Sequence, residues 1–370
     1  DEETLKSYFL SRHFIQFNKT VFKNIKNIQP GELWEYSIKS NKIKMLNRTS
    51  IRSYVSEKKY LMNESRSESD LIDELENLLQ KNLREMIPQN RKFCSIVSGG
   101  IDSSLISIMI KNISNSKNFV SLNHIGKDRI SDKVKKFEKY LNNPIYKINV
   151  SKEVYKKYLT KAINICNSPV SSHDFSGKLI IAKKVNAMKC KAVFGGDGAD
   201  ELFGGYDTYC KNIKNKKINY SNYSKIINST LLGKNYKNKF YSNQINSEWK
   251  KCLKAYSFLK NKLEQNRQAM MLMDSSLQLS SVGLRGCDLM SMHHSIEPRS
   301  IFLRKSIIEF ALNLPLKFKL SQNSGKFETK ILLKKLFLKY YPSNLIFKKQ
   351  GFAGFPNEME QYLGNSENYK

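Results

Sequence analysis

A short run of glycines, serines and one aspartate has the composition of a phosphate-binding loop. Residues 98–104 read SGGIDSS and stand between a short apolar run and an apolar helical pattern. Glycine lets the backbone approach an anion without a clash from Cβ, and the N–H groups that open a helix attract negative charge. The serine hydroxyls can donate further hydrogen bonds. We therefore predict a nucleotide phosphate site here; a plain glycine-rich turn capped by serine is the alternative.

The aspartate of this run, Asp102, indicates a metal ion. A carboxylate repels phosphate, so Asp102 is expected beside phosphate only when a cation lies between the two groups. Mg²⁺ commonly joins protein carboxylates to substrate phosphates. We predict that residues 98–104 bind ATP and that Asp102 binds Mg²⁺.

A second glycine-rich run, GGDGADELFGGY at residues 195–206, follows another short apolar run. It carries three acids within five residues, Asp197, Asp200 and Glu201. Such an acidic cluster is unfavourable unless a cation offsets its charge. We predict that Asp200 is the second protein ligand of a shared Mg²⁺-pyrophosphate; a solvated acidic turn is the alternative.

Short apolar runs that alternate with helical patterns must position these two runs. This order predicts an α/β fold with a doubly wound parallel sheet, whose ligands lie at the carboxyl ends of the strands. After about residue 200 the patterns are mostly helical. The N-terminal part predicts a hairpin, a polar linker at 56–67 and an amphipathic helix at 67–86. The predicted strands are 93–97, 119–124, 145–150 and 192–195, and the predicted helices between them are 103–113, 132–141, 153–166 and 174–187.

The two glycine-rich runs and their spacing resemble those of class B, glutamine-hydrolysing asparagine synthetases. The resemblance implies a synthetase domain of the ATP pyrophosphatase type (PP-loop, adenine nucleotide alpha hydrolase-like) with a helical C-terminal part. It implies that Asp102 and Asp200 bind the metal and that Asp197 acts in forming an acyl-adenylate. The residues expected at the nucleotide are Val97, Ser98, Gly99, Gly100, Asp102, Ser103, Ser104, Leu122, Gly195 and Gly196.

Two later stretches extend the resemblance. Residues 288–302 are similar to a helical stretch of the family that ends in a Glu-x-Arg pattern, which Glu297 and Arg299 match. Lys330 and residues 348–352, KKQGF, resemble a further segment that holds a catalytic lysine, here Lys349. An ammonium group there can offset charge on the α-phosphate and on the leaving pyrophosphate. The resemblance thus makes Glu297 and Lys349, with Asp197, the candidate catalytic residues.

The N-terminal residues resemble the last segment of the family's glutaminase domain. Residues 20–22 and the turn at Pro30-Gly31 match that segment. We predict that residues 1–58 are the C-terminal remnant of a glutaminase (Ntn-type amidotransferase) domain and that 68–370 form the synthetase domain, cut short at its C-terminus. Ammonia is then expected to come from glutamine.

Four departures from the family pattern leave the carboxylate acceptor open. The positions of an expected Asp, two Arg and one Glu hold Arg304, Leu289, Phe347 and Lys133. These changes lie around the acceptor or the packing, while the residues expected to bind ATP are retained. Aspartate is the favoured acceptor, and a sugar acid or other carboxylate of surface-polysaccharide or natural-product assembly is the alternative.

The charge of the chain raises nucleic acid as a partner. The formal net charge is +30, yet lysine is spread along the chain, and its densest stretch, residues 211–239, lacks the ordered aromatic spacing of a stacking platform. We expect small-molecule substrates and no nucleic acid. An RNA-modifying ATP pyrophosphatase and a non-catalytic scaffold remain as alternatives, and a homodimer is left open.

The cysteines and the apolar runs bear on location. None of the six cysteines forms a CxxC pair or has a partner at zinc spacing. Thiols in a reducing cytosol are the expected state. No apolar run is long enough to cross a bilayer. We predict a cytoplasmic protein without membrane partners.

Overall fold

The computed structural model describes residues 1–11, 18–114, 119–126, 132–170, 174–211, 239–323 and 326–341. The chain divides into two compact units. The sheet unit comprises Ile72–Asp197, Leu284–Arg304 and Leu333–Lys370, and the helical unit comprises Asp1–Leu71, Gly198–Gly283 and Lys305–Leu332.

The described elements, numbered along the chain, are as follows. The strands are β1 (Glu32–Ser37), β2 (Lys42–Arg48), β3 (Phe93–Ile96), β4 (Phe119–Gly126), β5 (Ile145–Val150), β6 (Ala192–Gly195), β7 (Glu297–Ser300), β8 (Ser321–Asn323) and β9 (Lys326–Glu328). The helices are α1 (Glu2–Ser11), α2 (Glu57–Glu64), α3 (Glu68–Met86), α4 (Ile101–Ile113), α5 (Asp132–Leu141), α6 (Lys152–Cys166), α7 (Asp174–Ala187), α8 (Ala199–Phe203), α9 (Thr208–Lys211), α10 (Lys239–Ala255), α11 (Lys262–Ser276), α12 (Arg285–Met292), α13 (Lys305–Leu312) and α14 (Ile331–Tyr340). None of these helices is both long enough and apolar enough to cross a membrane.

The sheet unit contains a parallel sheet. Within the described residues its strand order is β5-β4-β3-β6-β7, and every neighbouring pair is parallel. The prediction of a doubly wound parallel sheet is confirmed. Chain order reverses at β3, because β4 and β5 lie on one side of it and β6 and β7 on the other. In such sheets ligands bind beyond the carboxyl ends of the two strands that flank the reversal, here β3 and β6.

Aromatic residues of adjacent strands pack together in the sheet unit. The Phe93 ring of β3 lies 5.6 Å from Phe119 of β4 and 5.7 Å from Phe194 of β6, centroid to centroid. Such neighbouring side chains are what stabilises strand pairing and register. This core fixes β3 and β6 side by side, and therefore the two glycine-rich runs that follow them.

Strand β7 was not predicted. The resemblance placed Glu297 and Arg299 in a helical stretch, but α12 ends at Met292 and residues 297–300 pair with β6. Pro298 explains the difference, because proline disfavours a helix interior and is tolerated in an edge strand. The strand has four residues and no apolar alternation, so the pattern gave no signal for it.

The polar linker predicted at 56–67 is wrong, because the structure forms helix α2 there. Ser56 caps the helix by accepting a hydrogen bond from the Lys59 amide at 3.4 Å. Tyr60 and Asn63, three residues apart on one face, are its buried residues. Packing of these two side chains stabilises helix α2, although the polar composition of the segment is typical of a linker.

A buried polar network surrounds Tyr60 in the helical unit. The Tyr60 hydroxyl donates to Glu264 and accepts from the Gln268 amide at 3.1 Å. Gln268 in turn accepts a hydrogen bond from the Lys319 ammonium at 2.9 Å. Lys319 is 1% exposed, and burial lowers its pKa to about 7, although the charge of Glu264 acts in the opposite direction.

Replacing Lys319 by methionine should flatten the dependence of stability on pH. Between about 7 and the ordinary lysine value of 10.5, the unfolded chain holds a proton on this residue that the folded chain lacks. The free energy of unfolding of the wild type should therefore rise with pH by up to about 1.4 kcal/mol per unit, and fall again as pH drops towards 7. Urea unfolding at several pH values measures this, because both tryptophans, Trp34 and Trp249, report on the helical unit.

Lys317→Met is the matched control for this test. Lys317 lies two residues earlier and is exposed. Its replacement should leave the wild-type slope intact. Equal slopes in the wild type and the Lys319→Met variant would contradict the prediction.

Candidate active site

Two residues predicted at the nucleotide form the buried base of the first loop. Val97 directly follows β3, and its amide donates to the Leu122 carbonyl at 2.6 Å. Their exposed fractions are 0% and 1%. Both side chains therefore lie in the core beneath the loop, at the carboxyl end of β3.

Serine side chains shape the loop at residues 98–104. The Ser98 and Ser103 hydroxyl oxygens are 2.9 Å apart, and the Ser103 hydroxyl accepts from the Ser98 amide at 3.1 Å. Gly100 is the N-cap of α4, so the first amides of this helix open at the loop. Ser104 was expected to bind phosphate as well, but it is fully buried. The structure thus brings Ser98 and Ser103 together and turns Ser104 towards the core.

The two glycine-rich runs meet within the sheet unit. A Cβ placed on Gly196 would lie 3.1 Å from the Asp102 Cβ and 3.5 Å from the Ser103 amide nitrogen. A side chain at position 196 would therefore displace the first turn of α4, where Asp102 sits. The contact explains why glycine is needed here, and it places Asp102 at the crevice between β3 and β6.

Asp197 is held by side chains from distant parts of the chain. The Cys287 thiol of α12 donates to its Oδ1 at 3.4 Å, and the Ser300 hydroxyl at the end of β7 lies 3.5 Å from its Oδ2. Burial raises the pKa of Cys287 to about 12, and the charge of Asp197 acts in the same direction. Cys287 is therefore a neutral thiol at physiological pH. Neither contact could be read from the sequence, since the partners lie 90 and 103 residues from Asp197.

Lys178 of α7 is the cation of this cluster. Burial lowers its pKa, but interactions with the Cys287 sulfur and with the Asp197 and Asp174 carboxylates outweigh burial, and the net shift is upward. Lys178 therefore stays protonated. It matches no motif, and the sequence analysis did not single it out.

Asp200 belongs to the helical unit, where it pairs with Lys330. The ammonium lies 2.7 Å from Asp200 Oδ1, and the lysine side chain is 7% exposed. A Cβ at Gly205 would lie 1.7 Å from that same oxygen and 2.3 Å from Lys330 Cε, so only glycine fits. Lys330 has a φ of +53°, a left-handed backbone conformation that is uncommon for a residue other than glycine.

The third acid of the second run, Glu201, points into the helical unit. It is buried, and burial raises its pKa to about 7, while a hydrogen bond from the Tyr206 hydroxyl at 2.7 Å lowers it. The neighbouring Tyr209 hydroxyl donates to Asp274 at 2.6 Å. Glu201 therefore serves the interior, and Asp200 is the acid of this turn that reaches Lys330.

Glu297 lies at the opposite end of β7 from Ser300, the residue of this strand that contacts Asp197. It opens β7 opposite Ala192, while Ser300, at the other end of the strand, pairs with Gly195. Its exposed carboxylate binds Arg299 at 2.9 Å, and Arg299 also donates to the Met86 carbonyl. Lys349 and residues 348–352 lie outside the described residues, as do Phe347 and most of the lysine-rich stretch 211–239.

The carboxylate of Asp102 is of the donor type that Mg²⁺ binds. Among the described residues, no group of three or more His, Cys, Asp or Glu is arranged to hold a metal ion. Mg²⁺ does not require such a cage, because one or two carboxylates, substrate phosphates and water usually complete its coordination. Asp102 supplies a carboxylate in the first turn of the helix that follows the phosphate loop.

Comparison with known sequences decides the family. The sequence profile described as asparagine synthase matches residues 74–366, more than half of the chain. The chain belongs to the asparagine synthase family. The match spans both glycine-rich runs of this asparagine synthase-family chain, and it confirms the resemblance drawn from them.

Two curated relatives bear matching names. A glutamine-hydrolysing asparagine synthetase of Bacillus subtilis is 24% identical over 405 residues, and the alignment covers all of this chain and 61% of that protein. A Methanocaldococcus jannaschii protein named for the same activity is 24% identical over 345 residues, covering 90% of this chain and 50% of that protein. The chain thus spans about half to three-fifths of the length of these relatives.

Solved structures give a weaker likeness. An NH₃-dependent NAD synthetase from Campylobacter jejuni is 13% identical with a TM-score of 0.31, over 57% of this chain and 95% of that one. A U34-tRNA thiolase from Methanococcus maripaludis is 15% identical with a TM-score of 0.28, over 63% and 91%. At these scores the likeness adds nothing to what the strand order shows.

Proposed function

We propose that the chain is the synthetase part of an amidotransferase that activates a carboxylate with ATP and passes the acyl group to ammonia. One observation supports this most: in a chain of the asparagine synthase family, the two glycine-rich runs meet at the reversal point of the sheet, with Gly196 against Asp102. A carboxylate oxygen attacks the α-phosphorus of ATP and pyrophosphate leaves. Ammonia then attacks the acyl carbon and AMP leaves.

The loop at residues 98–104 and the first amides of α4 bind the phosphates in this proposal. A helix N-terminus offers oriented N–H groups and the positive end of its dipole to an anion. Ser98 is exposed and available to a ligand, and Ser103 holds it in place. Val97 and Leu122 support the loop from below.

Asp102 and Asp200 remain the predicted Mg²⁺ ligands. When bound, Mg²⁺ would neutralise phosphate charge and polarise the bond that breaks. Asp197 is proposed to act in acyl-adenylate formation, and Lys330 to compensate the charge gathered around Asp200. Lys349 is proposed as a second compensating cation on the resemblance alone.

Aspartate is the acceptor that the family favours, and a sugar acid or other carboxylate is the alternative. Arg304, which stands where the family has an acid, donates to Asn82 at 3.0 Å and to Glu85 at 2.8 Å. Its guanidinium is thus engaged by α3 within the sheet unit. Because Arg304 replaces an acid of the family, both aspartate and another carboxylate are retained as candidate acceptors.

Ammonia is proposed to derive from glutamine, with residues 1–58 as the end of a glutaminase domain. Hairpin β1–β2 supports this, because a two-stranded hairpin alone is marginally stable. One of its faces carries Trp34 opposite Met45 and Tyr36 opposite Ile43, and these four side chains are 37–64% exposed. Such a face is expected to pack against further strands.

The free state of all six cysteines suits the proposed cytoplasmic location, and a homodimer stays a prediction.

Isotope exchange between pyrophosphate and ATP tests the proposal. The chain is incubated with Mg²⁺, ATP, labelled pyrophosphate and one carboxylic acid at a time: aspartate, glutamate, uronic acids and aromatic acids. Exchange that depends on one acid, followed by AMP release when ammonium is added, is expected. Indifference to aspartate with a response to another acid would select the alternative acceptor. No exchange with any acid would favour a scaffold, and salt-sensitive binding of tRNA would favour an RNA-modifying enzyme.

A further inference from the structure

We infer that Lys178 is a positioning residue for Asp197, acting through the Cys287 thiol. This inference rests on the proposed role of Asp197 in acyl-adenylate formation. It concerns the sheet unit alone, since α7, α12 and the end of β6 all belong to it.

The packing of two helices brings Lys178 to this place. Helix α7 and helix α12 touch closely: a Cβ on Gly286 would lie 2.9 Å from the Phe175 ring. Lys178 lies three residues, nearly one helical turn, after Phe175, and Cys287 directly follows Gly286. Both helices precede parallel strands, so their first turns lie at the carboxyl edge of the sheet, where the glycine-rich runs are.

The hydrogen bonds form a short chain of donors. A hydrogen bond to the Cys287 sulfur helps to raise the pKa of Lys178, and Cys287 donates to Asp197 Oδ1 at 3.4 Å. A thiol is by itself a weak donor. An ammonium beside the sulfur polarises the S–H group and strengthens its bond to the carboxylate. Ser300 reaches the other oxygen, Oδ2, at 3.5 Å. Together these contacts limit rotation of the Asp197 carboxylate.

The positive charge of Lys178 compensates negative charge around Asp197. Asp197 must meet an anionic acceptor and the phosphates of ATP, and like charges repel. Asp174 adds a further negative charge near Lys178. The positive charge of Lys178 offsets this negative charge, and the residue is only partly exposed. The carboxylate can therefore keep one orientation while the substrates approach.

Lys178→Met tests the inference by kinetics. We expect the maximal rate of acid-dependent pyrophosphate exchange to fall about 100-fold, as for a misplaced catalytic group, while the KM for ATP changes little. Lys178→Arg keeps the charge and should recover part of the rate. Lys184→Met is the matched control, because Lys184 is an exposed lysine of the same helix. In an Asp197→Asn background Lys178→Met should have almost no further effect. Equal losses in both backgrounds would overturn the inference.

A second measurement does not depend on activity. Cys287 is the one partly exposed cysteine, since the other five are buried. Its rate of alkylation by iodoacetamide, followed by mass spectrometry of its peptide, reports the thiolate fraction. Removing the positive charge in Lys178→Met should slow alkylation, and removing the negative charge in Asp197→Asn should speed it. Rates that neither variant changes would overturn the inference. The wild type and all variants could lack pyrophosphate exchange while alkylation still slows in Lys178→Met and speeds up in Asp197→Asn. In that case the proposed function is wrong, but the interaction of Lys178, Cys287 and Asp197 is supported.

Discussion

Replacing Asp102 by asparagine should lower acid-dependent pyrophosphate exchange at least about 1,000-fold, because a lost metal contact removes several kcal/mol of charge stabilisation. The expectation follows from position. Asp102 lies in the first turn of the helix that opens at the phosphate loop, and its Cβ is in contact range of Gly196. A carboxylate there would repel ATP unless a cation joined them. Asparagine keeps the shape and removes the charge, so the variant should also need more Mg²⁺ for its residual rate.

Asp70→Asn is the matched control for Asp102→Asn. Asp70 also lies in the first turn of a helix, α3, and its side chain is exposed. Its replacement therefore reproduces the loss of a favourable charge at a helix N-terminus, worth about 0.3–1 kcal/mol. Exchange should be unchanged in this control. If Asp102→Asn kept a rate within about threefold of wild type, less than 1 kcal/mol would be at stake and a metal role would be untenable.

The sequence predicted the part of the site that local pattern controls. The run 98–104 was placed between a strand and a helix because the apolar run 93–97 and the helical pattern after it are short-range signals, and β3 and α4 lie there. The doubly wound parallel sheet was predicted from alternating strands and helices, but the pattern did not identify the strand at which chain order reverses. Gly196 and Asp102 were both expected at the nucleotide by resemblance, and they meet because both runs follow neighbouring parallel strands.

The parts that were missed depend on long-range packing. Cys287 and Ser300 reach Asp197 only because α12 and β7 return to the edge of the sheet, and β7 lacks the apolar alternation that would have predicted a strand. The sequence does not distinguish Lys178 from the other lysines, because only the packing of α7 against α12 brings it near Cys287. Glu297 was assigned to the active site by resemblance, yet the register of β7 sets it at the opposite end of the strand from Ser300. Register is a property of paired strands, so one strand's residues do not predict it.

Replacing Lys330 by methionine should reduce exchange about 100- to 1,000-fold, the usual loss when one preorganised charge partner is removed from an active site. Three features constrain the position of Lys330. Its backbone is in the left-handed region, its side chain is 7% exposed, and its ammonium is 2.7 Å from Asp200 Oδ1. Glycine at 205 makes room for both groups. A buried ion pair is weak evidence for a role in stability, because replacing such pairs by apolar residues is often neutral. The buried pair of Lys330 with Asp200 is therefore better explained by a demand for the ammonium at this place.

Two variants separate charge from packing at Lys330. Lys330→Arg retains the charge, but the larger guanidinium does not fit beside Gly205, so its rate should stay closer to Lys330→Met than to wild type. Lys317→Met removes an exposed lysine of the same unit and should leave the rate unchanged. Tryptophan fluorescence under urea checks that the helical unit of each variant is folded. Full exchange in a folded Lys330→Met protein would assign the lysine to stability alone, because the pair with Asp200 would then be dispensable for chemistry.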